Sequence, residues 1–401
     1  VIDQQETTGR PLWARPDLFR QAPGPGWGYL HRTRGDVAVE SLAALQEAVR
    51  GDDQEMILLV WTPDSPFMEV PEALSLLEPA LMASRAVSSE RDLADKNRQL
   101  RTGVLLFFAF VAYMGWEIFR SMPGGGFVAA FKTLLSSGGP VLGLLLFVMF
   151  FLLPWYEVRK RWKEVRAWTA ETMREAADLA RFEMWLSTQK IVATKVLLGL
   201  IAIAGVVQII SGRPFAAALQ RGGGDDARWT LLTAPFLHGN MIHFVMNALG
   251  LLYLGRRIEA LARWPQVPIV FLFSAWIGGE LSMATGKGLA LGASGGLMGM
   301  LGFLLVFETR HAKLVPRSSR RRLLAALIGT ALIGLVGIQF IDNSAHAGGV
   351  IAGMLYAFIV FPRSESAMRP KPTMADQVVA LLCYLLMLYG VWLASMKMMG
   401  R

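Results

Sequence analysis

From residue 103 onward the chain alternates long apolar runs with short polar intervals. Nine apolar intervals stand out, at 103–119, 140–157, 191–211, 241–254, 266–283, 294–307, 323–340, 345–361 and 376–396. About 18 or more apolar residues are enough to cross a bilayer as a helix. The pattern therefore predicts an all-α polytopic membrane protein. Several of the intervals, 241–254 and 294–307 most clearly, fall short of a full span. Residues 1–102 read differently. There "LFRQAPGPGWG" is a Pro/Gly loop, "VAVESLAALQEAV" an amphipathic helix, "EMILLVW" a buried strand stopped by "TPDSP", and "PEALSLLEPALMASRA" a second helix. These pieces predict a small soluble α/β region. Residues 158–189, rich in Trp and Arg, predict one long amphipathic helix lying at the membrane surface.

The predicted organisation follows. Residues 1–102 form a soluble region, 103–157 an additional helix pair joined through "PGGGF", and 158–189 the amphipathic helix. Residues 190–361 form a six-helix core, and 362–401 a linker with a seventh, C-terminal core helix. No segment resembling a secretory signal opens the chain, so its first residues are expected to be retained.

Charge sets the orientation. The chain of 401 residues is 53% hydrophobic with a net charge of +9. That excess could suggest nucleic acid, but its distribution argues otherwise. The intervals 155–166, 255–264, 308–322 and 362–372 hold five, three, six and three Lys or Arg. The alternate loops hold two in 120–138, three in 212–239, one in 284–290 and none in 341–345. Cytosolic loops of membrane proteins are the basic ones, so the charge reports topology and no nucleic-acid partner is expected. The N-terminus is then cytosolic and the C-terminus outside. Cys383 is the only cysteine, which excludes an intramolecular disulfide and a cysteine-based metal site.

Alternation of topology brings three polar helix starts to the outer face. They are "HGNMIHFVMN" (238–247), "GASGG" around Ser294, and "NSAHAGG" (343–349). His238, His243 and His346 fall there, whereas His31 and His311 fall in cytosolic segments. Polar and ionisable side chains within membrane spans are costly and point to function. If the helix from Ser294 ends near Glu308, its 14 residues cover about 21 Å of a core roughly 30 Å thick. Ser294 would then lie about 10 Å below the outer surface, at the floor of a hydrated pocket.

Glycine spacing suggests how the ends meet. Gly295 and Gly299 are four apart, as are Gly349 and Gly353, and small-xxx-small faces let helix backbones approach closely. Gly292 and Gly295 free the backbone around Ser294 to aim an N–H at a reacting oxygen. Ser294 and His346 make a candidate nucleophile and base. His243 and Asn247, at i and i+4, can aim at one point and, with the Ser294 amide, form an oxyanion hole. Taken singly, each residue has a plainer reading: Ser294 as packing glue, His346 as an interhelical bond, His243 and Asn247 as polar glue or an ion site. Their convergence on one pocket favours chemistry.

These stretches resemble the rhomboid family of intramembrane serine proteases. The resemblance rests on "HFVMN" (243–247), "GASG" (292–295) and "AHAGGVIAG" (345–353), in order, and covers about 190–396. It implies a rhomboid-like six-helix core in which Ser294 is the nucleophile, His346 the general base, and His243, Asn247 and the Ser294 amide the oxyanion hole. It also implies structural roles for His238 in the first loop and Glu259 in "GRRIE". The first loop would be 212–239 and the lateral substrate gate the helix 323–340. No cofactor or metal is called for. The partners implied are the lipid bilayer and, as substrates, transmembrane proteins, chiefly single-pass ones, in a bacterial inner membrane. Two positions depart from the family pattern: Thr230 stands where an arginine is expected, and Met298 where an aromatic ring stacks on the histidine. Asp342 reads as a pocket-rim residue.

Two other functions were weighed against this one. A catalytically inactive relative that binds or chaperones membrane clients would typically lack Ser294 or His346, and both are present. A transporter would show inverted repeats between its halves, and none is visible. No His-Glu-x-x-His helix supports a metalloprotease.

Overall fold

The computed structural model describes residues 10–15, 17–51, 56–122, 124, 126–211, 229–286, 291–338 and 341–399. Its chain divides into two compact units. One comprises residues 13–182 and 329–341; the other comprises 1–12, 183–328 and 342–401.

The first unit begins with strands β1 (Trp27–His31), β2 (Gly35–Val39) and β3 (Ile57–Trp61), with helix α1 (Leu42–Arg50) between the last two. β1 is central and pairs antiparallel with both neighbours. The "VAV" of the predicted helix belongs to β2, and α1 starts only where Ser41 caps the Ala44 N–H at 3.2 Å. The sheet and α1 bury Leu45, Val49, Ile57 and Val60 against Leu77, Ala80 and Leu81.

Ala80 and Leu81 open helix α2 (Glu78–Ser121), which is 44 residues long, about 66 Å at the α-helical rise. One helix thus packs under the sheet and runs through the expected boundary at 102 into the apolar interval. No Gly–Pro break interrupts 78–121, so the change in composition at 102 alters the surroundings of the helix and not its backbone. After α3 (Gly126–Ser136), helix α4 (Gly138–Phe147) continues through a π-helical turn (Val148–Leu152) into α5 (Leu153–Arg166). Pro154 has no N–H to donate, which accounts for the altered ladder there. The predicted single helix over 158–189 is in fact two, because the chain breaks at 167–169 before α6 (Ala170–Thr188). Thr169 and Thr172 cap each other across the break, with Thr169 N–H donating to Thr172 Oγ1 at 2.8 Å and Thr172 N–H to Thr169 Oγ1 at 3.3 Å.

The second unit contains α7 (Val192–Ser211), the short α8 (Thr230–Thr233), α9 (Met241–Ala262), α10 (Gln266–Ala284), α11 (Ser294–Arg310), α13 (Asn343–Val360) and α14 (Met374–Met398). It also holds the start of α12 (Arg317–Val336). Helix α12 starts six residues before the predicted gate interval, and residues 339–340 of that interval lie outside the described residues. Most of the predicted first loop, 212–228, does too.

Six of the described helical segments are both long and apolar enough to cross a membrane, and the protein is an integral multi-pass membrane protein. Of the remaining predicted spans, α11 has only 17 residues. Helix α9 carries Arg256, Arg257 and Glu259, and α12 opens on Arg317, Arg320, Arg321 and Arg322.

Helices α10, α11 and α13 pack backbone to backbone. A Cβ on Gly349 would overlap the Gly295 carbonyl, and one on Gly353 the Gly299 carbonyl. A Cβ on Gly278 would sit 2.6 Å from the Ala345 carbonyl oxygen. Such contact leaves no room for side chains and fixes the depth at which α11 and α13 start relative to each other.

Two polar clusters lock the other ends. Glu259, near the end of α9, caps the start of α7. Its carboxylate accepts the Ala193 N–H at 3.0 Å, the Thr194 N–H at 2.9 Å and the Thr194 hydroxyl at 2.8 Å. A carboxylate at a helix N-terminus satisfies orphan donors and meets the positive end of the dipole. Glu259→Ala is expected to cost about 1–3 kcal/mol by leaving those buried donors unpaired, read as a lower thermal midpoint in detergent. An unchanged midpoint would contradict the capping role.

The second cluster surrounds Glu308. Helix α11 runs three residues past Phe307, and Glu308 is fully buried within the protein. The Arg257 Nε stands 3.6 Å from its carboxylate, and Ser319 donates to it at 2.7 Å.

Candidate functional site

Local sequence fixes each helix start. Asn240 caps α9 by accepting the His243 N–H at 2.8 Å, which places His243 in the first turn and Asn247 directly after it on the same face. Asp342 caps α13 by accepting the Ala345 N–H at 2.9 Å, and its carbonyl accepts the His346 N–H at 3.1 Å. The Asp342 carboxylate also takes a hydrogen bond from the buried Ser282 hydroxyl at the end of α10. Asp342 is therefore the structural start of the histidine helix, a more specific place than the pocket rim. The run "DNSAH", with Asp three residues before Ala345, was the signal available for it.

Before α11 the chain turns through Gly292, which has φ +101, a region open to glycine and strained for other residues. The Gly292 N–H donates to the Ala234 carbonyl at 3.0 Å, tying the turn to the segment after α8. Ser294 is then the first helical residue, so its N–H has no intrahelical acceptor.

The structure brings three of the predicted residues, Gly292, His243 and Asn247, together just ahead of Ser294. A Cβ on Gly292 would lie 2.6 Å from His243 Cε1, 2.8 Å from His243 Nε2 and 3.1 Å from Asn247 Nδ2. The His243 ring and the Asn247 amide thus rest against the backbone two residues before Ser294. Asn247 is buried, and its Nδ2 has no hydrogen-bond partner among the described residues. Buried polar atoms are almost always paired, so this donor needs an explanation. On the other side of Ser294, the Gly295 carbonyl packs on Gly349, one turn beyond His346. Ser294 and His346 are both half-buried. No hydrogen bond joins them among the described contacts. A void of about 20 Å³ lies beside Gly292 and Gly295, lined also by Leu231, Ala234 and Ala345, room for about one water.

The remaining predicted residues fall around or away from this point. His238 is buried, its ring edge-on to His243 with centroids 5.2 Å apart and to Phe244 at 5.4 Å. Its backbone is clamped by the Gln208 side chain, which donates to its carbonyl at 2.8 Å and accepts its N–H at 3.3 Å. Gln208 was missed because its partner is backbone, which leaves no residue-type signature. Met298 is buried in α11, and Thr230 is buried as the first residue of α8. Glu259, expected as support near the site, lies 16 residues along α9 from His243, about 24 Å away. It belongs to the opposite end of the fold. Gly299 and Gly353 pack on each other below the site.

Comparison with known proteins agrees with the architecture. Residues 225–363 match the Rhomboid domain family. The chain is 32% identical over 143 residues to "RHOMBOID-like protein 6, mitochondrial" of Arabidopsis thaliana, covering 35% of this chain and 46% of that protein. It is 30% identical over 159 residues to RHOMBOID-like protein 4 of the same plant, covering 37% of this chain and 40% of the relative. It is 30% identical over 129 residues to Rhomboid protease GluP of Bacillus subtilis, covering 32% of this chain and 25% of that protein. The chain thus spans less than half the length of these relatives. Residues 225–363 of the chain thus form a domain of the rhomboid family.

Proposed function

We propose that the protein is an intramembrane serine protease that hydrolyses peptide bonds in or near the transmembrane segments of other membrane proteins. The observation that carries this reading is the unpaired, buried Asn247 amide beside the His243 ring, both against Gly292 just ahead of Ser294. Two convergent donors beside a free helix N-terminal N–H are what an oxyanion hole requires.

In this mechanism His346 takes the Ser294 hydroxyl proton as Oγ attacks the scissile carbonyl carbon. The oxygen becomes an oxyanion held by His243, Asn247 and the Ser294 N–H. Collapse breaks the C–N bond, and His346 returns the proton to the leaving amine. Water, deprotonated by His346, then hydrolyses the Ser294 ester. That no hydrogen bond joins Ser294 and His346 among the described residues is compatible with such a cycle, because catalytic hydrogen bonds often form only when substrate binds. The distribution of basic loops supports a cytosolic N-terminus with the site facing the outer side, which suits a bacterial inner membrane. The GluP relative is named a protease.

The test is cleavage of single-pass reporter proteins by the full chain in proteoliposomes, with products mapped by mass. Cleavage within or beside the reporter's span is expected. Binding of reporters without cleavage would favour a client-binding protein instead. Asn247→Ala and His243→Ala are each expected to lower turnover about 10²–10³-fold, the weight of one oxyanion donor, with smaller changes in KM. A change in KM alone would assign these residues to substrate binding.

A further inference from the structure

Outside the rhomboid domain, the α2–α5 helix pair carries a band of cations without acidic partners. The two helices run antiparallel with a register fixed by three contacts. Gly103 abuts the Phe151 ring, Trp155 Nε1 donates to Asn97 Oδ1 at 2.7 Å, and Arg166 pairs with Glu90 at 2.9 Å. The apolar part of α2 begins at Gly103 and that of the α4–α5 helix ends at Trp155 and Tyr156. The two spans therefore stop within about one helical turn of each other, near the aromatic pair of a kind that commonly sits at a membrane interface.

From that turn outward the helices carry Arg98, Arg101, Arg159, Arg161 and Lys163. All five are exposed, and none has a carboxylate partner among the described residues. Nearby cations do find acids: Lys160 faces Glu164 at 3.7 Å, and Arg166 faces Glu90. From Gly103 to the level of Lys163 is 12 residues along the helix, about 18 Å. That distance covers the headgroup layer and the first Debye length of water. The Arg159 guanidinium lies over the Trp155 ring at 5.0 Å and that of Arg166 over Trp162 at 4.1 Å, which holds the Arg159 cation close to the interface.

We propose that this band binds the headgroups of anionic phospholipids in the leaflet where α2 and α5 emerge. An acidic protein surface would need the cations to face the aqueous phase on one side. These five instead sit on both helices, spread over the about 18 Å beyond Gly103 that the headgroup layer and the first Debye length of water occupy. The consequence is positional, since α2 continues unbroken into the core of the sheet region. Lipid held at the band would fix the height of that region above the membrane.

The test exploits the single cysteine. In a Cys383→Ser background of the full chain, Gln99→Cys carries a fluorophore at the level of the band, and the protein is reconstituted in nanodiscs. Quenching by headgroup-labelled phosphatidylglycerol is compared with quenching by headgroup-labelled phosphatidylcholine. Phosphatidylglycerol is expected to quench at least about fivefold more effectively, the weight of a single cation at an anionic surface. The preference should shrink at high salt. Replacing the five cations by Gln should abolish it, and a variant with Arg98, Arg101, Arg159 and Arg161 all changed to Lys should keep it. Equal quenching by the two lipids, or a preference unchanged by salt, would overturn the proposal even if the Gln variant failed to fold. An unchanged preference in a folded Gln variant would do the same.

Discussion

Ser294→Ala is expected to abolish cleavage, with a loss of at least about 10⁴-fold in kcat/KM, while leaving the thermal midpoint close to that of the wild type. The side chain is half-buried and makes no hydrogen bond among the described contacts, so removing its hydroxyl costs the fold little. The chemistry, in contrast, loses the atom that forms the acyl bond. His346→Ala should lose a similar amount, because a nucleophile and its base act as one unit and their losses do not add. The double variant is therefore expected to be no slower than either single one. Residual activity in Ser294→Ala above about one part in a thousand would assign the cleavage to another group.

The largest effect on stability is expected at Glu308. Its carboxylate is buried together with the Arg257 guanidinium, in a cluster of α9, α11, the start of α12 and the end of α6. Arg257 reaches Glu183 at 3.3 Å and the Tyr253 hydroxyl at 3.0 Å, and it also donates to the Ser319 hydroxyl. Glu308→Ala leaves this cation buried without its main counter-charge, a change worth about 3–5 kcal/mol. A paired replacement, Arg257→Met with Glu308→Leu, removes both charges together and should cost much less, since desolvation offsets most of the attraction in such pairs. Thermal unfolding in detergent reads both. If Glu308→Ala melts with the wild type, the cluster does not hold these helices together.

The two kinds of prediction differ in how far the sequence foretold them. The apolar intervals were legible because a bilayer sets a simple length requirement, and each interval falls wholly or mostly within a helix. The meeting of Gly292 with His243 and Asn247 was foreshadowed by three polar helix starts on one side of the membrane. The close packing of α11 on α13 was foreshadowed by the four-residue spacing of their glycines.

Other features depended on partners far away in sequence. Glu308 looked like a surface residue because a glutamate at the end of an apolar run usually is one. Its partner Arg257 lies 51 positions earlier, and nothing local records the pairing. Asp342 gave a local cap signal, but its bond to Ser282 spans 60 residues. Helix continuity was misjudged for the opposite reason. The charged stretch 87–101 differs in composition from the apolar span after it, yet it contains no residue that breaks a helix, so α2 passes through. At 167–169 the composition barely changes, and the paired threonines end one helix and start the next.

Everything proposed for the site turns on Ser294 being an activated nucleophile. Labelling of the detergent-solubilised full chain with a fluorescent fluorophosphonate tests it most directly, because the probe forms a covalent bond only with a serine whose proton a neighbouring base can take. Labelling of the wild type is expected, and it should disappear in both Ser294→Ala and His346→Ala. Labelling that persists in Ser294→Ala, or its absence from folded wild-type protein, would contradict it.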